Sequence, residues 1–250
     1  MLHSVIPEHI AKVYQQVTQA CHKSRRDPAQ VKILAVSKTQ PAEAIRAAAT
    51  TGQRAFGENY LQEALQKQQQ LTDLPELEWH FIGAVQSNKT REIAENFAWL
   101  HTLDRQKIAQ RLNDQRPAHL PKLNVLIQVN ISNEASKAGI APTALLALAQ
   151  QVVKLPHLTL RGLMCIPKAS DKVAEQRQAF AQLAALQKQL QEDLQKDVQK
   201  ALQGTLPDLA LNTLSMGMSG DLEAAIAEGS TLVRIGTAIF GTREKKDSHD

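Results

Sequence analysis

Short apolar runs alternate with longer helical patterns along nearly the whole chain. Eight runs read as strands: VKILAVS (31–37), RAFG (54–57), WHFIG (79–83), WLHTL (99–103), NVLIQVN (124–130), LRGLMCI (160–166), LNTLSMG (211–217) and LVRIG (232–236). They are short and almost continuously apolar, as parallel strands covered on both faces are. Helical spacing predicts helices over 7–22, 41–49, 59–70, 89–96, 105–113, 142–154, 172–203 and 221–227. Helix-start signals stand in SNKTRE (87–92) and SGDLEAA (219–225). In the longest helix, Phe180, Leu183, Leu186, Leu190 and Leu194 share one face, which reads as an amphipathic surface helix.

Eight strand-helix units predict a single-domain α/β fold, a (β/α)8 TIM barrel over residues 1–242, close to the ~250 residues such barrels use. A doubly wound sheet satisfies the alternation as well, but no GxGxxG turn favours its dinucleotide-binding form. The segment REKKDSHD (243–250) is charged and expected to be a disordered tail.

Composition narrows the function classes. The net charge of +4 comes with no long Lys/Arg block, so nucleic acid is not an expected partner; a small anionic ligand suits a mild basic excess. Cys21 and Cys165 are far apart with no CxxC, which argues against a disulfide framework or a metal cluster and suits a reducing cytosol. The first residues lack the pattern of a signal peptide. No segment approaches the ~20 apolar residues of a membrane span, so a cytoplasmic protein is expected. Two Trp, two Tyr and five Phe make no aromatic interface stripe, and a monomer is expected.

In a barrel the site lies at the C-terminal ends of the strands. Lys38 ends the first predicted strand, Asn59 follows the second, Lys137 the fifth, and Ser215, Met216 and Ser219 come at or after the seventh. Arg234, Gly236 and Thr237 lie in the eighth and its exit. SMGMSGDLEAA and RIGTAIFG are glycine-containing turns of the kind that hold a phosphate between adjacent barrel loops. Most strand-end lysines simply reach solvent. A partly desolvated lysine opposite a phosphate cradle instead suits attack on an aldehyde. Sugar-phosphate aldolases and pyridoxal 5′-phosphate (PLP) binding both match, and spacing alone does not separate them.

AVSKTQP, FGENYLQEA, WHFIGAVQSNK, QVNISNEASKAGI, GLMCIP and LSMGMSGDLEAAIAEGSTLVRIGTAIFG, in that order from Ala35 to Gly241, resemble the pyridoxal phosphate homeostasis protein family. Val85 stands where a leucine is more usual there. The resemblance implies a barrel similar to the N-terminal domain of alanine racemase, with PLP held as an aldimine on Lys38. It further implies Arg234 facing the pyridine nitrogen, Ser219, Gly236 and Thr237 at the phosphate, and Asn59, Ser215 and Met216 as pocket neighbours. The implied function is a non-catalytic carrier and regulator in intracellular PLP (vitamin B6) and amino-acid homeostasis, with PLP-dependent apoenzymes as recipients. A weak PLP-dependent amino-acid racemase is the alternative.

Residue chemistry favours the carrier. PLP is the better electron sink when its ring nitrogen is protonated, and an arginine can only donate to it. A racemase needs a base on each face of its substrate, one coming from an additional β-domain, and only the charged tail follows the last strand here. Neither Tyr14 nor Tyr60 is an evident substitute base. His80 reads as a hydrogen-bonded core histidine, Cys165 as a buried small hydrophobe, and Lys137 as a loop lysine positioned to accept PLP in transfer.

Overall fold

The computed structural model describes residues 2–132, 138–200, 209 and 211–241. Lys137 and the tail at 243–250 lie outside the described residues. The eight strands are β1 (Lys32–Val36), β2 (Ala55–Glu58), β3 (Glu78–Phe81), β4 (Trp99–Leu103), β5 (Leu123–Gln128), β6 (Leu158–Met164), β7 (Thr213–Ser215) and β8 (Leu232–Ile235). All pair in parallel with their sequence neighbours, and β1 pairs with β8 to close the barrel. The predicted (β/α)8 architecture is therefore the observed one, and the doubly wound alternative is excluded.

Helix α1 (Ile6–Lys23) precedes the barrel. The crossovers carry α2 (Ala42–Ala49), α3 (Leu61–Gln70), α4 (Thr90–Asn96), α5 (Gln106–Gln115), α6 (Leu145–Val152), α7 (Val173–Lys200) and α8 (Leu222–Ala227). A last short helix, α9 (Thr237–Phe240), was not expected, because TAIFG continues an apolar run without a cap or a proline. The face of α7 is as predicted: Phe180, Leu183, Leu190 and Leu194 are buried and Leu186 partly so. Each fully buried side chain of this kind contributes about 1.5–3 kcal/mol. Among the described residues, no helix is long and apolar enough to cross a membrane.

Side chains alternate across each strand. Ile33 and Ala35, Trp79 and Phe81, Leu100 and Leu103, Leu214, and Val233 and Ile235 pack in the layer between barrel and helices. The opposite phase points into the barrel. There Trp99, Leu126 and Met164 form a small apolar cluster, and His80, His101, Ser215 and Arg234 share the interior with them. Barrel interiors are commonly filled by branched apolar residues. This one is polar along one line, from β3 through β4 and β7 to β8.

Two strand ends differ from expectation for identifiable reasons. The run 211–217 pairs as a strand only over Thr213–Ser215, since Gly217 takes a φ of +94° and turns the chain away. In β6 the register jumps from Leu160 to Gly162, leaving Arg161 as a bulge. Gly162 has a φ of +146°, and a Cβ there would stand 2.0 Å from the Thr213 carbonyl oxygen and 2.6 Å from Gln187 Oε1. Gln187, buried on α7, accepts from the Leu163 N–H at 3.1 Å and donates to the Leu211 carbonyl at 3.0 Å, tying the bulge to the approach of β7. Gly162→Ala is expected to destabilise the protein by about 2–3 kcal/mol, read as a lower denaturant midpoint at unchanged m-value. An unchanged midpoint would mean that the bulge relaxes freely.

Candidate functional site

Lys38 lies two residues beyond the end of β1, in a turn. The Gln40 N–H donates to the Ser37 carbonyl at 3.0 Å, so Lys38 and Thr39 are the central pair of a β-turn. Thr39 has a φ of +65°, an uncommon conformation for a β-branched residue, costing about 1–2 kcal/mol. Its N–H donates to Glu63 Oε1 at 2.5 Å, which holds it there. The other side of the turn is held from within the protein. Lys67 Nζ, on α3, donates to the Ser37 carbonyl at 2.8 Å, to Glu58 Oε1 at 2.8 Å and to Glu63 Oε1 at 2.5 Å. Ser37 Oγ donates to Glu58 Oε1 at 2.6 Å. Lys67 is 5% exposed and Glu58 not at all, so this pair is fully in the low-dielectric interior. Burial pushes the Glu58 carboxyl up, and the Lys67 ammonium and Ser37 hydroxyl pull it only partly back. The backbone before Lys38 is thus held by the buried Lys67–Glu58 pair, and the backbone after it by Glu63, which also pairs with Lys67.

The turn opens onto a cavity of about 340 Å³ at the C-terminal mouth of the barrel. Lys38, Asn59, Ser219, Arg234, Gly236 and Thr237 all line it. Ser215 and Met216 do not: Met216 is fully buried in the apolar layer, and Ser215 sits beneath Arg234. Asn59 Oδ1 is buried and has no protein partner, an acceptor left for something in the cavity. On the β7 side the Met218 N–H donates to Asp221 Oδ1 at 2.6 Å, shaping the turn that presents Ser219 and Gly220. The two loops that sequence spacing assigned to an anion therefore meet in one wall.

Arg234 is 5% exposed. Its Nη1 donates to the Ser215 carbonyl at 2.7 Å and to Ser215 Oγ at 2.8 Å, and its Nη2 to the Cys165 carbonyl at 2.9 Å. Burial lowers its pKa from the usual guanidinium value. Behind it the polar line continues: His101 Nδ1 lies 3.0 Å from Ser215 Oγ, His101 Nε2 2.9 Å from His80 Nδ1, and His80 Nε2 2.9 Å from Glu78 Oε1. His80 is a hydrogen-bonded core histidine, as expected, and stacks on Trp99 with ring centroids 5.3 Å apart. Sequence reasoning missed Lys67, Glu58 and His101. Glu63 and Lys67 read as a surface i,i+4 pair, and His101 sits unmarked in an apolar run.

Both interior histidines are held below the ordinary value of 6.5 by burial, His101 strongly so. A folded-state pKa below the unfolded one means stability present above about pH 6.5 and lost as pH falls, by at most ~1.4 kcal/mol per pH unit for each group. Glu58, raised by burial, acts in the opposite sense nearer pH 4.5 and above. Asp221, also raised by burial, acts with Glu58, but both histidines resist protonation from about pH 6.5 downward and His101 strongly so, and the denaturant midpoint is expected to fall between pH 7 and pH 5. A midpoint that is flat or rising over that interval would show that the histidines are not buried as neutral bases.

Comparison with known proteins places the chain. It matches the alanine racemase N-terminal domain family over residues 9–244. It is 58% identical to the pyridoxal phosphate homeostasis protein of Pseudomonas aeruginosa, over 96% of this chain and 97% of that one. The protein of the same name from Escherichia coli is 49% identical, over 96% and 97%. Among solved structures, PipY of Synechococcus elongatus, determined with PLP bound, superposes with a TM-score of 0.77 at 38% identity, covering 94% of this chain and all of PipY. Alanine racemase from Corynebacterium glutamicum shares the fold, with a TM-score of 0.65 at 16% identity, over 99% of this chain and 63% of that enzyme. The chain belongs to the alanine racemase N-terminal domain family, among the pyridoxal phosphate homeostasis proteins.

Proposed function

We propose that this protein binds PLP at the barrel mouth through Lys38 and serves as a carrier and regulator of the cofactor. The observation that carries this is the convergence, in one cavity, of a turn-fixed lysine, a buried donor-only arginine and the loops after β7 and β8. The residues fit the group. Arg234 suits an acceptor ring nitrogen, Ser219, Gly236 and Thr237 suit a phosphate, and the unpartnered Asn59 Oδ1 fits a polar ligand. When bound, PLP supplies an aldehyde that links reversibly to a primary amine and a ring that withdraws electrons. Lys38 would provide that amine, carried to the cavity by its turn. Arg234 orients the ring without giving up a proton, since guanidinium stays charged, and this leaves the ring a weaker sink.

A storage and delivery role follows better than turnover. Relatives up to 58% identical carry the homeostasis name, which does not favour the weak racemase. Ile166 and Met218 are 46% and 40% exposed at the rim, leaving the mouth open to amines and to recipient apoenzymes. We take the working form to be a cytoplasmic monomer that hands PLP to PLP-dependent apoenzymes. Recovery of apoenzyme activity from the loaded protein and sedimentation of that protein check the two parts.

The primary test is the absorbance spectrum of purified protein incubated with PLP, followed by borohydride reduction and peptide mapping. A reducible chromophore trapped on the Lys38 peptide is the expected result. A protein that stays colourless would leave the sugar-phosphate reading of the same barrel standing.

A further inference from the structure

With Glu78 ionised and the two buried histidines neutral, the polar line through the barrel has one consistent arrangement of its protons. Arg234 can only donate, so Ser215 Oγ accepts from it at 2.8 Å. The Ser215 hydroxyl proton is then free to be given to His101 Nδ1 at 3.0 Å. His101 Nδ1 is therefore an acceptor, its own proton sits on Nε2, and it donates to His80 Nδ1 at 2.9 Å. His80 in turn carries its proton on Nε2 and donates to Glu78 Oε1 at 2.9 Å. The other end decides it, because Ser215 Oγ has two lone pairs and Arg234 occupies only one. The ionised Glu78 carboxylate only accepts, and the His80 N–H holds it below the usual carboxylate range. Every link has one donor and one acceptor, and the bond dipoles run in one direction from a cation to an anion.

The chain matters because Arg234 touches no carboxylate among the described residues; its partners are Ser215 and the Cys165 carbonyl. Asp221 acts on it through space without touching it, and Glu78 is reached only through three intervening side chains. Glu78 is only partly buried, at the opposite end of the barrel from Lys38, whereas His80 and His101 are 1% and 0% exposed. A buried guanidinium with two of its edges engaged is left with Nε–H and one Nη2–H for the cavity.

We propose, resting on the PLP site proposed above, that Ser215, His101, His80 and Glu78 are positioning residues for Arg234. They form a fixed-tautomer relay that locks its guanidinium as a donor towards the ring of the cofactor. Ser215 thus belongs to the site through Arg234, not through the ligand.

The test has two arms. The first uses the protein without PLP, with nitrogen-15-labelled histidine, so its outcome does not depend on the cofactor reading. Both His80 and His101 are expected as neutral Nε2–H tautomers at pH 8, with both Nδ1 atoms accepting. Ser215→Ala is expected to shift His101 Nδ1 towards the position of an unbonded ring nitrogen. An Nδ1–H tautomer or an imidazolium at either site, or an unmoved His101 Nδ1 signal in Ser215→Ala, overturns the relay.

The second arm titrates PLP by absorbance into the native protein and three variants. Ser215→Ala and Glu78→Leu are expected to bind about tenfold more weakly, the size of one hydrogen bond to a charged group. Glu78→Gln, which keeps an oxygen to accept from His80, is expected to bind within about twofold of the native protein, less than one such bond is worth. Equal affinities in all four proteins overturn the positioning role and leave the PLP site intact. Native protein that takes up no PLP overturns the site, while the tautomers stand or fall on the first arm.

Discussion

Lys38→Ala protein mixed with PLP is expected to show no borohydride-reducible chromophore, against stoichiometric labelling of the native chain. Among the described residues, Lys38 is the lysine that lines the mouth cavity, facing the same space as Arg234 and the two glycine-containing loops. Lys67, the nearby buried amine, is committed to two carboxylates and a carbonyl and points away from such chemistry. The substitution leaves the backbone contacts of the turn in place, since those run through Ser37, Thr39 and Gln40. Lys38 is half-buried at the mouth, outside the packed core, so the change in stability is expected to stay within about 1 kcal/mol. Loss of the chromophore with an unchanged melting curve therefore reports chemistry, not unfolding. A chromophore that persists and maps to another lysine, Lys137 above all, would move the covalent site out of the turn.

Lys67→Met is expected to cost about 3–5 kcal/mol of folding stability, the usual consequence of leaving one half of a buried ion pair alone. Methionine matches the length of the lysine stem, so packing is nearly conserved and the loss is electrostatic. Glu58, with no exposed surface, would keep only Ser37 Oγ as a donor, and its Oε2 already has no partner. The Ser37 carbonyl would lose its ammonium as well, loosening the turn that carries Lys38. The double variant Glu58→Gln/Lys67→Met removes the stranded charge and is expected to recover part of the loss. Chemical denaturation of the three proteins decides this. A loss below about 1 kcal/mol in Lys67→Met would mean that Glu58 takes up a proton at little cost and that the pair does not anchor the turn.

The barrel was legible because each strand is a short apolar run bounded by polar turn residues, and eight such runs leave few parallel topologies. The mouth was legible too: Lys38, Asn59, Ser219, Gly236 and Thr237 follow strand ends, Arg234 lies one residue before one, and strand ends converge in a barrel. Depth was not legible. Met216 and Ser215 lie one and two residues from the end of the same run that leads to Ser219, yet neither lines the cavity. Pleat phase says which face a residue takes, but not whether another side chain stands between it and the ligand. Lys67 was hidden for a related reason. Its i,i+4 spacing from Glu63 is the pattern of a solvated pair, and only the three-dimensional approach of Glu58 from β2 makes it buried. His101 was hidden by alternation itself, because WLHTL counts as apolar while its inward positions form part of a polar line.

The closure of β1 against β8, with Lys32 opposite Leu232 and Ala35 opposite Ile235, sets a condition on biosynthesis. One wall of the cavity is made at residue 38 and the facing wall at residues 234–241, so the two are among the first and last parts of the barrel to leave the ribosome. A nascent chain that still lacks β8 exposes β1 as an unpaired edge and has no cavity beside it. Chains that end between β1 and β8 retain the lysine but lack the arginine and the last loop that face it. A cavity with both walls is in this way restricted to chains that extend through β8 and the loop after it.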